Sequence, residues 1–161
     1  GINSRLDALQ AVALSIKLRH LESWTRSRRQ LALHYDALFA ERGAHPMTEP
    51  FGSGSMPLQT PRPTTAPARH SYHRYAVRVP GELRQSVIDG LREEGIASEI
   101  YYRRGLHQQP SLAEFAPAAT EPGFAETERA TREALALPLY PELTLDQIER
   151  VVGCVTRILK A

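Results

Sequence analysis

The sequence has 161 residues, of which 42% are hydrophobic and 24% are charged, and its formal net charge is +2 at pH 7. This length fits one domain with a sizeable core, the composition excludes wholesale disorder, and no apolar run approaches membrane-spanning length. Lys17 and Lys160 are the only lysines among 20 basic residues, and the many arginines alternate with acidic residues, which argues against a nucleic-acid-binding face.

The first predicted element is a long helix over residues 6–42, either continuous or in two nearly continuous pieces. Apolar and aromatic side chains recur along it at three- and four-residue steps, namely Leu6, Leu9, Ala13, Ile16, His20, Trp24, Leu31, Tyr35 and Leu38. Gly43 is the predicted end, because glycine accepts the left-handed conformation that closes helices. Such a helix spans roughly 50 Å at 1.5 Å per residue, which suits a strut between two bodies or a subunit contact.

Residues 43–70 form the next segment, and their composition differs from that of the helix. Six of the 12 prolines fall here, together with Gly52, Gly54 and several Ser and Thr residues. Proline lacks an amide donor and glycine lacks conformational restraint. We predict a long surface loop with at most a short edge strand.

Residues 71–102 read as strand, helix and strand. Alternation in the first strand predicts one apolar face formed by His73, Tyr75, Val77 and Val79. A helix follows from residue 81, with its C-terminal cap at Gly95. The second strand, residues 96–102, is predicted to place Ile96, Ile100 and Tyr102 together.

A loop through Pro110 leads to a predicted helix over residues 123–134, a short strand and a last helix. Thr144 and Gln147 are spaced as a capping box, and an apolar stripe follows at Ile148, Val151, Val152, Val155, Ile158 and Leu159. Cys154 is the only cysteine and falls on the apolar side of this helix, so it is predicted to be a core residue. It excludes an internal disulfide framework, and a reducing, cytoplasmic setting is expected. The predicted class is α+β, with a long N-terminal helix followed by a small antiparallel or mixed sheet with helices packed on it.

The residue pattern alone predicts no self-contained catalytic constellation. His70 and His73 are three residues apart in an extended segment and have no carboxylate partner, so a metal site is not expected. There is no Gly-x-Ser-x-Gly elbow, and the GSGS run at residues 52–55 lacks the lysine and the helix of a phosphate-binding loop.

Two stretches carry groups that could bind a ligand. YYRRGLHQQP, residues 101–110, combines aromatic rings with guanidinium groups that favour phosphates, although such a stretch is more often a solvated strand exit. Asn3 and Arg5 precede a helix start, where free backbone amides favour an anion. Asn3 could equally be an ordinary helix cap.

Five stretches of the sequence carry a resemblance to a known family: GINSRLDALQAVAL, KLRHLESWTRSRRQLALHYDALF, SYHRYAVRV, EEGIASEIYYRRGLHQQP and ERATREALALPLYPELTLDQIERVV. They match in order the motifs of the DegT/DnrJ-type sugar aminotransferases, which the chain resembles over essentially all its 161 residues. Each motif is modest alone, and five of them in the right order and spacing are highly specific. Two departures stand out, because many relatives have His-Tyr-Pro at residues 101–103 and a proline at Gly105.

The resemblance implies the aspartate aminotransferase fold, an α/β fold, and pyridoxal 5'-phosphate (PLP) as cofactor. Residues 1–42 would be the end of the large domain and the long connecting helix, residues 43–70 the Pro/Gly-rich loop, and residues 71–161 the small C-terminal domain. The chain would then be part of a larger protein. The lysine that forms a Schiff base with PLP is not matched by Lys17 or Lys160, so the chain alone is expected to be inactive.

The resemblance also implies roles for individual residues. Asn3 would reach the phosphate of the partner subunit's PLP across a homodimer interface, and Arg5 would support it or contact substrate. His73, Tyr101, Tyr102 and His107 would line the substrate side of the cleft. The reaction would transfer an amino group from a donor such as glutamate to a nucleotide-linked 3-keto or 4-keto sugar. A stand-alone dimerising or regulatory module without catalysis is the alternative.

Overall fold

A computed structural model describes residues 3–51, 53–62, 69–115 and 123–160. The N-terminal prediction is confirmed in its second form, as two nearly continuous helices, α1 (Ala8–Leu18) and α2 (Leu21–Glu41). Asp7 caps α1, because its carboxylate accepts a hydrogen bond of 2.8 Å from the Gln10 amide. α2 ends as predicted at Gly43, whose φ of 91° is the left-handed conformation that closes many helices.

A mixed four-stranded sheet has the strand order β1-β2-β3-β4, as the predicted class allows. The short strands β1 (His45–Pro46) and β2 (Gln59–Thr60) run parallel, and β2 pairs antiparallel with β3 (Tyr75–Arg78). The main ladder joins β3 to β4 (Ala134–Leu137), in register from Tyr75 opposite Leu137 to Arg78 opposite Ala134. This antiparallel pair is the centre of the fold.

Residues 43–70 contribute more than the expected loop with one edge strand. Both β1 and β2 lie in this segment, and Met56 and Leu58 are fully buried in the core. The proline count had favoured a loop, but two-residue strands tolerate flanking prolines because each needs few amide donors. Gly52 and residues 63–68 lie outside the described part of the segment.

Helices cover the sheet in the order α3 (Gly81–Glu93), α4 (Ala125–Glu133) and α5 (Leu145–Leu159). Gly95 follows α3 with a φ of 70°, which confirms the predicted cap. The capping box of α5 is also confirmed, since Thr144 Oγ1 accepts from the Gln147 amide and Gln147 Oε1 accepts from the Thr144 amide. Two short 3₁₀ helices, Leu106–Gln108 and Pro110–Phe115, precede α4.

Two strand predictions are wrong in extent. The first strand starts at Tyr75 instead of residue 71, because Tyr72 adopts a left-handed φ of 46° that resets the alternation. Tyr72 is therefore buried and His73 exposed, the reverse of the predicted face. Residues 96–102 make only one β-bridge, from Glu99 to Ala136, and Tyr102 is 73% exposed instead of lying with Ile96 and Ile100.

The core lies between α2, the sheet and α5. Tyr35, Phe39 and Tyr75 stack at its centre, with ring centroids 4.6 to 6.4 Å apart. Of the predicted inward residues of α5, Ile148, Val151, Val152 and Val155 are buried, and Ile158 and Leu159 are partly buried against the same core. Cys154 is buried as predicted, at 3% exposure. Burying such apolar side chains contributes roughly 1.5–3 kcal/mol each, so the second half of α2 is bound firmly to the sheet.

α1 has no buried residue. Its large apolar side chains are mostly more than half exposed, from Ile16 at 54% to Leu9 at 85%. Nevertheless, among the helices of the described residues, none combines the length and apolarity needed to cross a membrane.

Candidate functional site

A first cleft lies beside β4, where the chain enters β3. Its volume is about 270 Å³, and its polar walls come from His73, Arg74, Glu99 and Tyr101. Residues 136–139, the end of β4 and the turn after it, form its floor. His73 and Tyr101 were both predicted site residues, and the fold brings them to one cleft although 28 residues separate them.

Hydrogen bonds from the Glu99 backbone and from the buried Tyr35 hydroxyl hold the floor of this cleft in place. The Glu99 amide donates to the Ala136 carbonyl at 3.1 Å, and the Ala136 amide donates back to the Glu99 carbonyl at 2.8 Å. The Tyr35 hydroxyl donates to the Pro138 carbonyl at 3.0 Å, which ties α2 to the turn after β4. Because Tyr35 is fully buried, this bond fixes the cleft against the core.

Arg74 is a functional candidate that the sequence pattern did not single out. Its guanidinium carbon lies 3.4 Å from the centroid of the Tyr101 ring. Both residues are exposed, and such cation–π pairs contribute about 0.5–1 kcal/mol at exposed sites. The pairing joins the start of β3 to the segment after Glu99, a long-range contact that no local motif marks.

A second cleft shares Tyr101 with the first. It has a volume of about 540 Å³, and the exposed side chains of Tyr102 and Leu106 give it an apolar wall. Arg104 adds a positive charge, and Thr127 and Thr131 of α4 close the opposite side. Tyr101 and Tyr102 therefore both line this cleft. The Tyr101–Tyr102 peptide bond is cis.

A further arginine, Arg84 of α3, links this helix to α4 and to the start of β4. Arg84 donates to the carbonyls of Thr131 and Ala134 at 2.5 and 3.3 Å. Partial burial lowers the pKa of Arg84, and the nearby positive charge of Arg103 lowers it further. Arg103 therefore lies close enough to add to the positive potential on this side of the protein.

His107 lines neither cleft, although Gly105 and Leu106 just before it line the second. Its Nε2 is 3.1 Å from Glu128 Oε1, and its ring packs 4.7 Å from the ring of Phe124. A Cβ at Gly105 would approach the His107 ring to 2.6 Å, so the glycine at this position lets the histidine fold back against α4. The structure thus gives His107 a contact with Glu128 that the sequence pattern did not indicate.

Asn3 and Arg5 lie in the exposed segment that leads into α1. Neither lines the clefts at Tyr101. Asp7 takes the capping position of α1, so Asn3 is not the cap of this helix. Asn3 is thus an exposed residue that does not cap α1.

A partly buried acid, Asp36 of α2, lies outside the two clefts and contacts β3. The Tyr75 hydroxyl donates to Asp36 Oδ1 at 2.6 Å. Burial raises the pKa of Asp36, and this hydrogen bond partly opposes the rise. Burial also raises the pKa of Tyr75, and the neighbouring charge of Asp36 raises it further, so the tyrosine stays protonated and acts as the donor.

Within residues 3–51, 53–62, 69–115 and 123–160, no three His, Cys, Asp or Glu side chains come together as they would to hold a metal ion. The described side chains that line the two clefts include tyrosine rings, guanidinium groups, the imidazole of His73 and the carboxylate of Glu99.

The sequence model of the DegT/DnrJ/EryC1/StrS aminotransferase family matches residues 1–156. The chain is 38% identical over 152 residues to a protein of Geobacillus stearothermophilus named pleiotropic regulatory protein. It is 35% identical over 161 residues to a UDP-N-acetyl-3-dehydro-alpha-D-glucosamine 3-aminotransferase of Acidithiobacillus ferrooxidans. These matches cover 94% and 99% of the chain and 37% of each relative's length.

The fold matches solved structures of the same kind. DesV of Streptomyces venezuelae, solved in complex with a ketimine intermediate, superposes with a TM-score of 0.80 and is 29% identical. The match covers 100% of this chain and 38% of DesV. The structure therefore has the architecture of part of an aspartate aminotransferase-type fold, and aminotransferases of this kind depend on PLP.

Proposed function

We propose, because the chain belongs to the DegT/DnrJ/EryC1/StrS aminotransferase family, that the complete protein transfers an amino group from an amino acid such as glutamate to a nucleotide-linked keto sugar. The observation that carries this proposal is the family match over residues 1–156, supported by the named activity of the Acidithiobacillus relative. PLP, when bound, supplies the electron sink that this chemistry needs. The single cysteine, Cys154, is a buried free thiol, in keeping with a cytoplasmic location.

Residues 1–42 would be the end of the large domain and the connecting helix, residues 43–70 the Pro/Gly-rich segment that carries β1 and β2, and residues 71–161 the small C-terminal domain. The exposed apolar side chains of α1 support this division, because a helix that is apolar on several sides is normally buried. The chain spans little more than a third of its relatives' length, so the covering surface would be the rest of the large domain.

The cofactor would be held in part by Asn3 and Arg5, acting in the partner subunit of a homodimer. The exposed position of both side chains fits this role, and so does the capping of α1 by Asp7, which leaves the Asn3 amide free to donate. An amide N–H and a guanidinium are suitable donors to a phosphate oxygen. These two residues would bind the phosphate and thereby help to hold the cofactor in place.

The substrate would lie on the side of His73, Tyr101 and Tyr102. Tyr101 and Tyr102 offer flat apolar surfaces, and His73 offers a hydrogen-bonding ring at the first cleft. His107 would act as a positioning residue, because its contact with Glu128 holds the turn at residues 105–108 against α4. The clefts would also exclude water from one side of the reacting sugar.

The lysine that carries PLP would lie outside residues 1–161. Lys17 is an exposed residue of α1, Lys160 follows α5, and neither lines the clefts at Tyr101. We therefore expect no transamination by this chain alone, since the covalent step requires that lysine.

The test uses the full-length protein with PLP, glutamate and candidate keto-sugar nucleotides, and it detects the amino sugar by mass spectrometry. We expect product from the full-length protein and none from residues 1–161. The variants Lys17→Ala and Lys160→Ala of the full-length protein should retain wild-type turnover and cofactor absorbance. Loss of the cofactor absorbance in either variant, or turnover by a homogeneous sample of the chain alone, would contradict the assignment.

A second candidate is a dimerising or regulatory module without catalysis. The exposed apolar residues of α1 favour it, because two copies of the chain could cover each other's helix. The name of the Geobacillus relative points the same way. Sedimentation of residues 1–161 separates the two candidates: a discrete, stable dimer favours the module, and non-specific association favours a part of an enzyme.

A further inference from the structure

The guanidinium of Arg74 is held in place by its contact with Tyr101. A distance of 3.4 Å from the guanidinium carbon to the ring centroid is reached by two flat groups only when they lie nearly parallel. The ring then covers one face of the guanidinium, and the N–H groups of the guanidinium point outward in its own plane, parallel to the ring. Within the described ranges Arg74 forms no salt bridge or side-chain hydrogen bond, so these donors are open to a ligand at the first cleft.

Positive charge collects around the same tyrosine. Arg74 lines the first cleft and Arg104 lines the second, and Tyr101 belongs to both. Arg103 lies between Tyr101 and Arg104 in the sequence, and its charge adds to the positive potential near Arg84. Among the described residues that line the two clefts, Glu99 carries the single carboxylate. The surface around Tyr101 is therefore suited to an anionic group with several oxygens.

We propose that Arg74, stacked on Tyr101, binds the diphosphate of the nucleotide-linked sugar and determines specificity for it. The nucleoside base would lie in the second cleft, against Tyr102 and Leu106. This inference rests on the proposed function, because it assigns a part of that substrate to a particular pair of side chains. It makes Arg74 a specificity-determining residue that holds the substrate through the group that does not react.

Two properties of the site favour a diphosphate over the carboxylate of the amino-acid donor. The second cleft has a volume of about 540 Å³ and an aromatic wall, which fits a flat base and exceeds what an amino acid occupies. A diphosphate carries two negatively charged phosphate groups, and an arginine lines each of the two clefts that share Tyr101. A single carboxylate would pair with only one of these arginines.

The experiment measures the binding of dTDP and UDP to the full-length, PLP-loaded protein by calorimetry. We compare the wild type with Arg74→Gln, which removes the charge and leaves a shorter polar side chain, and with Arg74→Lys, which keeps the charge and loses the flat stack. The matched control is Arg92→Gln, because Arg92 is an exposed arginine of α3 that pairs with Asp89 and lines neither cleft. Circular dichroism melting checks that each variant is folded.

For Arg74→Gln we expect the Kd of dTDP or UDP to rise about tenfold or more, as for the loss of a charged hydrogen-bonding partner. The affinity for the nucleoside without phosphates and the rate of the glutamate half-reaction should not change. Arg74→Lys should recover only part of the affinity, and Arg92→Gln should match the wild type.

Three results would overturn the assignment. One is a nucleoside diphosphate Kd within twofold of wild type in Arg74→Gln, and another is a wild type that binds neither nucleotide. The third is a glutamate half-reaction that slows while nucleotide binding stays the same, since it would transfer Arg74 to the amino-acid donor. The half-reaction with glutamate in the wild type tests the aminotransferase activity separately, so failure of the proposed function is distinguished from failure of this inference.

Discussion

α1 and α5 are both rich in apolar side chains, but those of α5 are mostly buried and those of α1 are mostly exposed. Ile148, Val152 and Val155 of α5 have no exposed surface, and they pack on α2, α3 and the sheet. Leu9 of α1 is 85% exposed, and no residue of this helix is buried. The apolar face of α5 is thus covered within this chain, whereas that of α1 is not.

This difference teaches that periodicity reports which face a helix will bury, and not which molecule will cover it. α5 carries one narrow stripe with charged residues opposite, which suits a helix at the surface of a small domain. α1 carries large apolar residues on more than one side, such as Leu9, Val12 and Leu14. That distribution is typical of a helix surrounded by protein, which agrees with a partner surface in the rest of the proposed enzyme.

The comparison is sharpened most by Ile148→Ala in α5. The residue is fully buried in the core, so its truncation removes apolar contacts and leaves a cavity. We expect the free energy of unfolding of the chain to fall by about 2–5 kcal/mol, measured by urea denaturation. A loss below 1 kcal/mol would mean that α5 is not a core helix.

The counterpart in α1 is Leu9→Ala, which should behave differently in the two settings. In residues 1–161 alone the free energy of unfolding should change by less than about 0.5 kcal/mol, because the side chain is already exposed. In the full-length protein it should fall by at least about 2 kcal/mol, since the residue would there be buried. Equal effects in the two settings, seen in paired melting curves, would break the comparison.

The segment that leads into α1 is expected to face outward for function. In the full-length protein, Asn3→Ala should weaken PLP retention by about 1–3 kcal/mol, because a phosphate oxygen would lose its donor. The melting temperature of residues 1–161 should not fall, since Asp7 and not Asn3 caps the helix. Equilibrium dialysis of the cofactor is the measurement, and Ser4→Ala is the neighbouring control. Unchanged PLP affinity would remove Asn3 from the site.

The smallest expected effect is the pH dependence of stability that arises from Asp36 of α2, a helix that lies between α1 and α5 in the sequence. Burial raises the pKa of Asp36. At pH values between the ordinary aspartate pKa of about 4 and this raised value, Asp36 is protonated in the folded state and ionised in the unfolded state. Stability therefore falls as the pH rises through this window, because the folded state binds more protons there. Asp36→Asn keeps an oxygen acceptor for the Tyr75 hydroxyl and removes the titration.

The expected result is a stability difference, variant minus wild type, that grows from pH 4 upward and then becomes constant. Urea denaturation at a series of pH values measures it, with Asp146→Asn, an exposed position in the first turn of α5, as the control. A difference that stays flat or shrinks as the pH rises would contradict the assigned direction of the Asp36 pKa.

The predictable parts of the fold were those governed by neighbours in sequence. The Thr144 capping box and the helix ends at Gly43 and Gly95 depend on residues within one or two turns, and the structure confirms them. The apolar face of α5 follows from the same local periodicity. Resemblance to known motifs gave the fold class and the family, which residue patterns alone did not.

The parts that could not be predicted depend on a single backbone angle or on distant contacts. Nothing in the sequence marks Tyr72 as left-handed, yet its amide donates to His70 Nδ1 at 3.0 Å and the turn exposes His73. The contact of His107 with Glu128 spans 21 residues, and Arg74 meets Tyr101 across the site. The roles of Asn3, Arg5, His73, Tyr101, Tyr102 and His107 stay predictions.

The central claim is a PLP site shared between two subunits, with Asn3 serving the partner's cofactor. Its most direct test mixes full-length Asn3→Ala with a second variant that lacks the proposed cofactor-carrying lysine, at limiting PLP, and measures transamination. A shared site predicts recovery of about a quarter of wild-type activity, because random exchange makes half of the dimers hybrid and each hybrid has one complete site. Activity no higher than that of the two separate variants, in a sample shown to contain hybrids, would contradict the claim.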